Sequence, residues 1–381
     1  TYIRIGAAIS GLPDIKSTFF NLNLKEVYTT SADLSAIISL FSSGETALGT
    51  LVKDGGMILQ GLAYGTLSDL YSIGELKYLD GKVAYEATLR GTDTSSTTVD
   101  ASVSVDRLNI GSVIGKPGLI GETSLSTSLS AAIPDRRSHE RISVQVDSLR
   151  IHSIALHGTE YRDISMTGTM RDNNIDLRML SHDTAFPAMF QSIVTLDTTN
   201  RPQRVRAFLD VPYADLKAMN LVRQGNISTA GITLNADLSI DSRSILGNIL
   251  LDNISYADDN GRYHIDSLYI RSLLREDRHI VTLMSPLLHM DYSSNDSPAR
   301  LVGRLKTALS TPSLAGILTA DSSLAGGPDG YYDFHLRTFD MSPICDIISP
   351  GLSIADSTTV DIHLDKENTL TFNAQSANIS L

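Results

Sequence analysis

The residues from Gly231 to Asp241, GITLNADLSID, decide the fold class, because apolar and polar side chains alternate along them. Successive side chains of a β-strand point to opposite faces, so one face of this stretch carries only apolar side chains. The apolar positions are Ile232, Leu234, Ala236, Leu238 and Ile240. The stretch therefore predicts a strand in a sheet that has one apolar face and one face in contact with water.

The same alternation recurs along the chain. It is present in residues 99–106, 141–147 and 360–365, and a Ser/Thr-rich version spans residues 123–130. Turn residues such as Asp258-Asp259-Asn260-Gly261 separate these runs, as in hairpins. Helical spacing is rare, and the stretches that show it are Ala32–Phe41, Leu108–Ile114, Tyr213–Val222 and Ser342–Ile348. We expect an all-β protein with a few short helices.

A divergent repeat also runs through the chain. Four stretches share a strand, a short apolar helical turn, a loop with Gly and a second strand, and a shorter cassette occurs at residues 146–151 and 265–270. No linker rich in Gly, Pro or Ser interrupts the pattern, so residues 1–381 are predicted to form one continuous elongated β segment with no firm internal boundary. The chain starts at Thr1 without a signal segment and stops inside a predicted strand, so we expect it to be part of a longer protein.

The number of predicted strands constrains the architecture. About 12 residues per strand and turn give roughly 30 strands, whereas twisted open sheets rarely exceed about ten. We therefore expect a repetitive sheet bent into a U-shaped, taco-like groove with its apolar faces inward. Either the chain's own side chains fill the U as a core, or the groove stays partly open for acyl chains, and the residues alone leave both alternatives open. The predicted lining positions are Val103, Val105, Leu125, Leu129, Ile142, Val144, Val146, Ile232, Leu234, Leu238, Ile240, Val360, Ile362 and Leu364.

Composition and motifs exclude several classes of function. The 31 basic and 43 acidic residues give a net charge of −12, which argues against a nucleic-acid surface. The one cysteine, Cys345, excludes an intramolecular disulfide framework and a cysteine-based zinc site. The sequence has no nucleophile elbow and no HExxH motif. Each of the nine His residues is predicted to be a solvated or hydrogen-bonded surface residue, and we expect no metal, no cofactor and no enzymatic activity.

Three short stretches resemble the TamB family, the AsmA-like translocation and assembly module proteins of the Gram-negative envelope, in its bacteroidete form. Residues 61–70 (GLAYGTLSDL), followed by Ile73-Gly74-Glu75-Leu76, are similar to a glycine-spaced stretch of that family. Residues 247–256 (GNILLDNISY) and 281–288 (VTLMSPLL) are similar to two further family strands. The order of the three stretches along the chain resembles the middle segment of the family.

The resemblance implies a function. It implies a non-catalytic, periplasmic segment, anchored to the inner membrane through another part of the chain, whose β-groove carries the acyl chains of phospholipids between the inner and outer membranes. It also implies support of outer-membrane assembly with a barrel partner of the TamA/BamA type.

Two other interpretations of the sequence compete with a function as a lipid conduit. The first is a β-scaffold or chaperone-like protein that binds client strands at its sheet edges. The second is a surface adhesin built as a β-solenoid, which would need an exposed aromatic platform that the sparse Tyr and Phe residues do not predict.

Overall fold

A computed structural model describes residues 2–13, 17–30, 56–91, 96–113, 116, 118–134, 141–222, 225–241, 244–295, 330–348, 352–366 and 369–380. Strands account for 75% of these residues, and the described helices are both short, which confirms the predicted all-β class. Twenty strands lie in antiparallel β-sheet, and two form a small separate ladder.

The first ten strands, in chain order, are β1 Tyr2–Ser10, β2 Phe19–Thr30, β3 Gly56–Thr66, β4 Asp69–Tyr78, β5 Gly81–Gly91, β6 Ser96–Asn109, β7 Ile120–Pro134, β8 Ser143–Leu156, β9 Thr159–Arg171 and β10 Asn174–His182. The next eight are β11 Pro187–Leu196, β12 Pro202–Asp215, β13 Ser228–Ile240, β14 Ile245–Asp258, β15 Arg262–Arg275, β16 Arg278–Met284, β17 Leu288–Ser294 and β18 Tyr332–Thr338. The last four are β19 Ser353–Ile354, β20 Thr359–Leu364, β21 Leu370–Gln375 and β22 Ile379–Ser380. The helices are α1 Ile110–Val113 and α2 Ser342–Ile348.

The chain divides into two compact units. Unit 1 comprises Thr1–Ile193 with Ala214–Arg223, and unit 2 comprises Val194–Tyr213 with Gln224–Leu381. In unit 1, β1 to β10 form a meander in which every strand pairs antiparallel with the next one in the chain. In unit 2, β13 to β18 continue in the same way, followed by β20 and β21. The prediction of one segment without a boundary stays a prediction.

The strand register places apolar residues of unit 1 on one face. Residues directly opposite each other in antiparallel strands share a face, so the pairings can be followed from strand to strand. We call the face that carries the following three rows the apolar face of unit 1, and the opposite one its polar face. The rows are Leu22, Ala63, Ser72, Ala87, Ala101, Leu129, Val146, Gly168 and Leu177; Leu24, Gly61, Gly74, Tyr85, Val103, Thr127, Leu149, Met166 and Met179; and Val27, Leu59, Leu76, Val83, Val105, Leu125, Ile151 and Ile164.

β-Bulges keep this face apolar along the length of the strands. Val105 pairs with Leu125, whereas Leu108 pairs with Thr123, so Val105 and Leu108 lie on the same face although they are three positions apart. Arg107 lies in this bulge with a left-handed φ of 48°. The same spacing of three occurs at register shifts between Leu24 and Val27 and between Val146 and Leu149. An extra residue in each bulge thus returns the next apolar side chain to the apolar face.

Unit 2 has a corresponding apolar face, defined by two rows that cross its strands. The rows are Leu238, Gly247, Ser272, Val281, Tyr292, Phe334, Ile362 and Phe372; and Ala236, Ile249, Ile270, Leu283, Met290, Leu336, Val360 and Ala374. Tyr292, Tyr332 and Leu364 form a buried cluster at one part of this face, with Val281, Phe334 and Leu370 packed against it.

Of the four predicted helices, the structure has a helix at two, a third prediction is wrong, and the fourth lies outside the described residues. The structure has α2 where Ser342–Ile348 was predicted, and α1 occupies part of the predicted Leu108–Ile114. The prediction of a helix over Tyr213–Val222 is wrong, because β12 extends to Asp215 and hydrogen-bonded turns follow it. The Asp215 carboxylate accepts hydrogen bonds from the backbone N–H groups of Lys217 and Ala218, which favours a turn at this point. The predicted helix Ala32–Phe41 lies outside the described residues.

Candidate functional site

The structure brings the predicted lining residues of unit 1 together on its apolar face. Val105 lies opposite Leu125, and Leu129 lies opposite Val146. Val103 lies between Tyr85 on β5 and Thr127 on β7. Val144 lies opposite Met170 on β9, on the same face. Positions that are far apart in the sequence therefore form one contiguous surface.

Ile142 is a predicted lining residue that lies outside the strands. It immediately precedes β8, and 49% of its surface is exposed. The alternation of residues 141–147 begins two residues before the hydrogen-bonded strand. The sequence pattern therefore included Ile142 among the predicted lining residues.

The predicted residues of unit 2 occupy two strands of its apolar face. Leu234 and Leu238 lie on β13 opposite Leu251 and Gly247. Ile232 lies within a register shift, between Gly231 and Thr233, and Ile240 pairs with Ile245 at the end of the strand. On β20 the predicted residues are Val360, Ile362 and Leu364.

The side chains on the apolar faces are half-buried rather than fully buried. In the described rows of unit 1 the large apolar side chains remain partly accessible to water, and Val103, Val105, Leu125 and Leu129 are all half-buried. Side chains in a close-packed core would be almost fully buried. Leu364 is a predicted residue with no exposed surface, because it belongs to the buried cluster of unit 2.

One margin of the apolar face in unit 1 is buried. Thr29 pairs with Met57, Met57 pairs with Tyr78, and all three are at most 6% exposed. Tyr78 pairs with Gly81, where an added Cβ would lie 2.6 Å from the backbone of Leu108. Apolar side chains along the rest of the strands are more open than at this margin. The arrangement can therefore bind an apolar molecule over the open rows.

Tyr85 lies across Gly74 on the apolar face, a contact that the alternation pattern did not reveal. A Cβ at Gly74 would lie 2.7 Å from the Tyr85 ring, and the Tyr85 hydroxyl is 3.3 Å from the Ser72 Oγ. Gly61 is the cross-strand neighbour of Gly74, and a Cβ there would lie 2.8 Å from the carbonyl oxygen of Ile73. Glycines at paired positions, followed by an aromatic residue on the next strand, are the sequence signal for this contact.

A shallow cavity of about 840 Å³ lies against the polar face of unit 1. Its lining residues belong to two polar-face rows and to the apolar-face row between them, which includes Val103. Lys82 and Lys77 hydrogen-bond to Glu75 and lower the pKa of its carboxyl group. The hydrogen bond that Tyr71 donates to Glu86 raises the pKa of Tyr71. The polar face thus carries ion pairs and hydrogen bonds beside apolar residues such as Leu62 and Ile73.

Histidines on the polar side of unit 2 pair with carboxylates on the neighbouring strand. His335 Nδ1 is 2.5 Å from Asp361 Oδ1, and His363 Nδ1 is 2.5 Å from Asp333 Oδ1. These two residues are hydrogen-bonded surface histidines, as predicted. In the part of the chain that the structure describes, no group of three or more His, Cys, Asp or Glu side chains could hold a metal ion.

Asp258 and Gly261 form the predicted turn. The Asp258 carboxylate accepts hydrogen bonds from the backbone N–H groups of Asn260 and Gly261. The Asp258 N–H donates to the carbonyl oxygen of Gly261, which closes the hairpin between β14 and β15. The neighbouring carboxylate, Asp259, accepts from the N–H groups of Asn226 and Ile227.

None of the described helices has the length and the apolar character that crossing a membrane requires. Comparisons with protein-family models, curated proteins and solved structures find no match to this chain.

Proposed function

We propose that the chain is a non-catalytic segment whose apolar sheet faces bind the acyl chains of phospholipids. The observation that carries the proposal is the register of unit 1. It aligns apolar residues from successive strands on one face and leaves them half-buried. On a face of this kind, a hydrocarbon chain makes dispersion contacts and is removed from water. It needs no charged partner for this.

The dimensions of unit 1 suit an acyl chain. Its meander has ten strands, and strand spacings of about 4.8 Å give roughly 43 Å across the rows. Each buried CH₂ group contributes roughly 0.8 kcal/mol, so about eight of them contribute roughly 6 kcal/mol. This free energy is large enough to hold a lipid tail without a specific polar contact.

The biological setting in the proposal rests on the three stretches that resemble the TamB family. In that setting the segment lies in the periplasm of a membrane-anchored protein, carries phospholipids between the inner and outer membranes, and supports outer-membrane assembly with a barrel partner of the TamA/BamA type. Two of the stretches contain glycines with left-handed backbone, Gly65 at φ 132° and Gly247 at φ 135°.

Native mass spectrometry of the chain, expressed in a Gram-negative periplasm, tests the proposal. We expect phospholipid to remain bound at a defined stoichiometry. The Leu238→Asp variant places a carboxylate on the apolar face of unit 2 and should lose bound lipid from that unit. Ser239→Asp is the matched control, because the next residue lies on the opposite face and is exposed. Folded protein without lipid, or equal loss in both variants, would contradict the proposal.

A further inference from the structure

We infer that the polar face of unit 1 carries a binding site for an uncharged oligosaccharide, on the side of the sheet opposite the proposed acyl-chain site. The site is the cavity of about 840 Å³, whose lining residues come from β2 to β8. Ligand pockets typically enclose about 300–1,000 Å³, so the cavity has the size of a ligand site. Six strand spacings of about 4.8 Å give it a reach of roughly 29 Å, which suits an extended chain of sugar rings.

A row of polar-face residues runs along this cavity, across the strands. The strand pairings align Leu62, Ile73, Glu86, Ser102, Ser128 and Ser148, one residue from each strand between β3 and β8. Ser104 and Ser126 lie opposite each other in the next row and also line the cavity. Each serine hydroxyl can donate one hydrogen bond and accept others, so these serines can match the hydroxyl groups of a sugar, which do the same.

An exposed aromatic pair lies beside this row. Tyr64 pairs with Tyr71 across β3 and β4, and their ring centroids are 5.1 Å apart. Tyr64 is 42% exposed, and it lies two residues from Leu62 on the same face. Tyr71 donates a hydrogen bond of 3.0 Å to the Glu86 carboxylate, which lines the cavity. The pair therefore offers an apolar aromatic surface to the C–H face of a sugar ring, next to a hydrogen-bond acceptor.

The charges at the cavity favour an uncharged ligand. Lys77 and Lys82 place their Nζ atoms 3.2 and 2.5 Å from the two carboxylate oxygens of Glu75, so these charges compensate each other. The Glu86 carboxylate accepts one hydrogen bond from the aromatic pair and has further lone pairs for a ligand hydroxyl. Lys25 is the one cation among the described residues that line the cavity. The lining thus lacks the cluster of cations that typically binds phosphate groups.

Isothermal titration calorimetry of the full chain with three uncharged hexasaccharides, cellohexaose, maltohexaose and chitohexaose, tests the inference. We expect at least one of them to bind. Tyr64→Ala should raise the dissociation constant of that sugar about tenfold, because it removes the exposed ring of the pair. Tyr64→Phe is the matched control, because it keeps the ring, and its dissociation constant should stay within about twofold of the native one.

A second variant tests the row of polar-face residues. Ser102 is exposed and lies between Glu86 and Ser128, so Ser102→Leu should fill the cavity and weaken the binding at least as much as Tyr64→Ala does. Phe372→Ala removes a ring that is 62% exposed in unit 2, and it should leave the binding unchanged. Circular dichroism verifies that each variant is folded.

Two outcomes would overturn the inference. The first is that none of the three hexasaccharides binds to the native chain. The second is that a sugar binds with the same dissociation constant to the native, Tyr64→Ala and Ser102→Leu chains, because its site would then lie elsewhere.

Discussion

Leu238 on β13 lies directly opposite Gly247 on β14, on the apolar face of unit 2. Gly247 has a φ of 135°, and a Cβ there would collide with the carbonyl oxygen of Asp237. L-residues rarely adopt this backbone conformation, so a glycine is required beside Leu238. The absence of a side chain at this position leaves one flank of Leu238 without a directly opposite apolar partner.

The first prediction concerns this glycine. Gly247→Ala should lower the free energy of unfolding by about 1–3 kcal/mol, because the new Cβ forces a strained backbone and a steric clash. Urea denaturation followed by circular dichroism measures the change. Gly118→Ala is the control, because a Cβ at Gly118 has no heavy atom within 4 Å, and we expect no loss there. Equal free energies of unfolding for the two variants would contradict the strained backbone and the steric clash expected at Gly247.

The second prediction separates the two faces of β6. Val105→Asp should lower the free energy of unfolding by about 1–3 kcal/mol, because it places a polar group between the apolar side chains of Val83 and Leu125. Ser104→Asp changes the next residue, which is exposed on the polar face, and should stay within about 0.5 kcal/mol of the native chain. A larger effect at Ser104 would reverse the assignment of the faces. Urea midpoints of the two variants decide between these outcomes.

The third prediction concerns the bulge in β6. Arg107 has a φ of 48°, a backbone conformation that is less favourable for β-branched residues than for glycine. We expect Arg107→Val to destabilise the chain by about 1–2 kcal/mol and Arg107→Gly to be close to neutral. Thermal unfolding of both variants measures the difference. A neutral Arg107→Val variant would mean that the bulge is absent in solution.

The fourth prediction is a pH dependence. Arg204 donates hydrogen bonds from Nε and Nη2 to the two carboxylate oxygens of Asp237, at 3.1 and 2.9 Å, and these hydrogen bonds lower the pKa of the Asp237 carboxyl group. A lowered native pKa means that the pair stabilises the fold above the unfolded-state pKa of about 3.9, and that this stabilisation is lost as the pH falls through the native pKa. Both side chains are about half exposed, at 52% and 47%, so screening by solvent keeps this contribution small.

The Arg204→Ala variant measures this contribution. Its urea midpoint should fall at neutral pH and match that of the native chain in strong acid, where the carboxylate is protonated in both. An NMR titration of Asp237 should show a higher pKa in the variant. The same pKa in the native and variant chains would exclude the ion pair as the cause.

The alternation of apolar residues predicted the fold class and the faces, because a period of two is a local property of each strand. It placed Val105 with Leu125 and Leu129 with Val146 on one face without knowledge of the register. The spacing of three in Val105–Leu108 and Val146–Leu149 carried the signal for the bulges, but a strict period of two treats such a spacing as a break.

Other features could not be obtained from single strands. The helical spacing of Tyr213–Val222 is compatible with a helix, but the ladder of β12 and the hydrogen bonds to Asp215 decide its structure. The His–Asp pairs, such as His335 with Asp361, depend on which strands are neighbours. Leu364 shares its alternation with Val360 and Ile362, and its complete burial follows from the packing of Tyr292 and Tyr332 around it.

Photocrosslinking with a phospholipid that carries a diazirine in its acyl chain tests whether the apolar face of unit 1 binds acyl chains. After irradiation of the lipid-loaded chain, peptide mapping identifies the labelled residues. We expect labels on apolar-face residues such as Val103, Val105 and Leu129, with little label on Ser102 and Ser104, their neighbours on the other face. Labels concentrated on Ser102 and Ser104, or no label on the apolar rows of a chain that binds the lipid, would contradict this expectation.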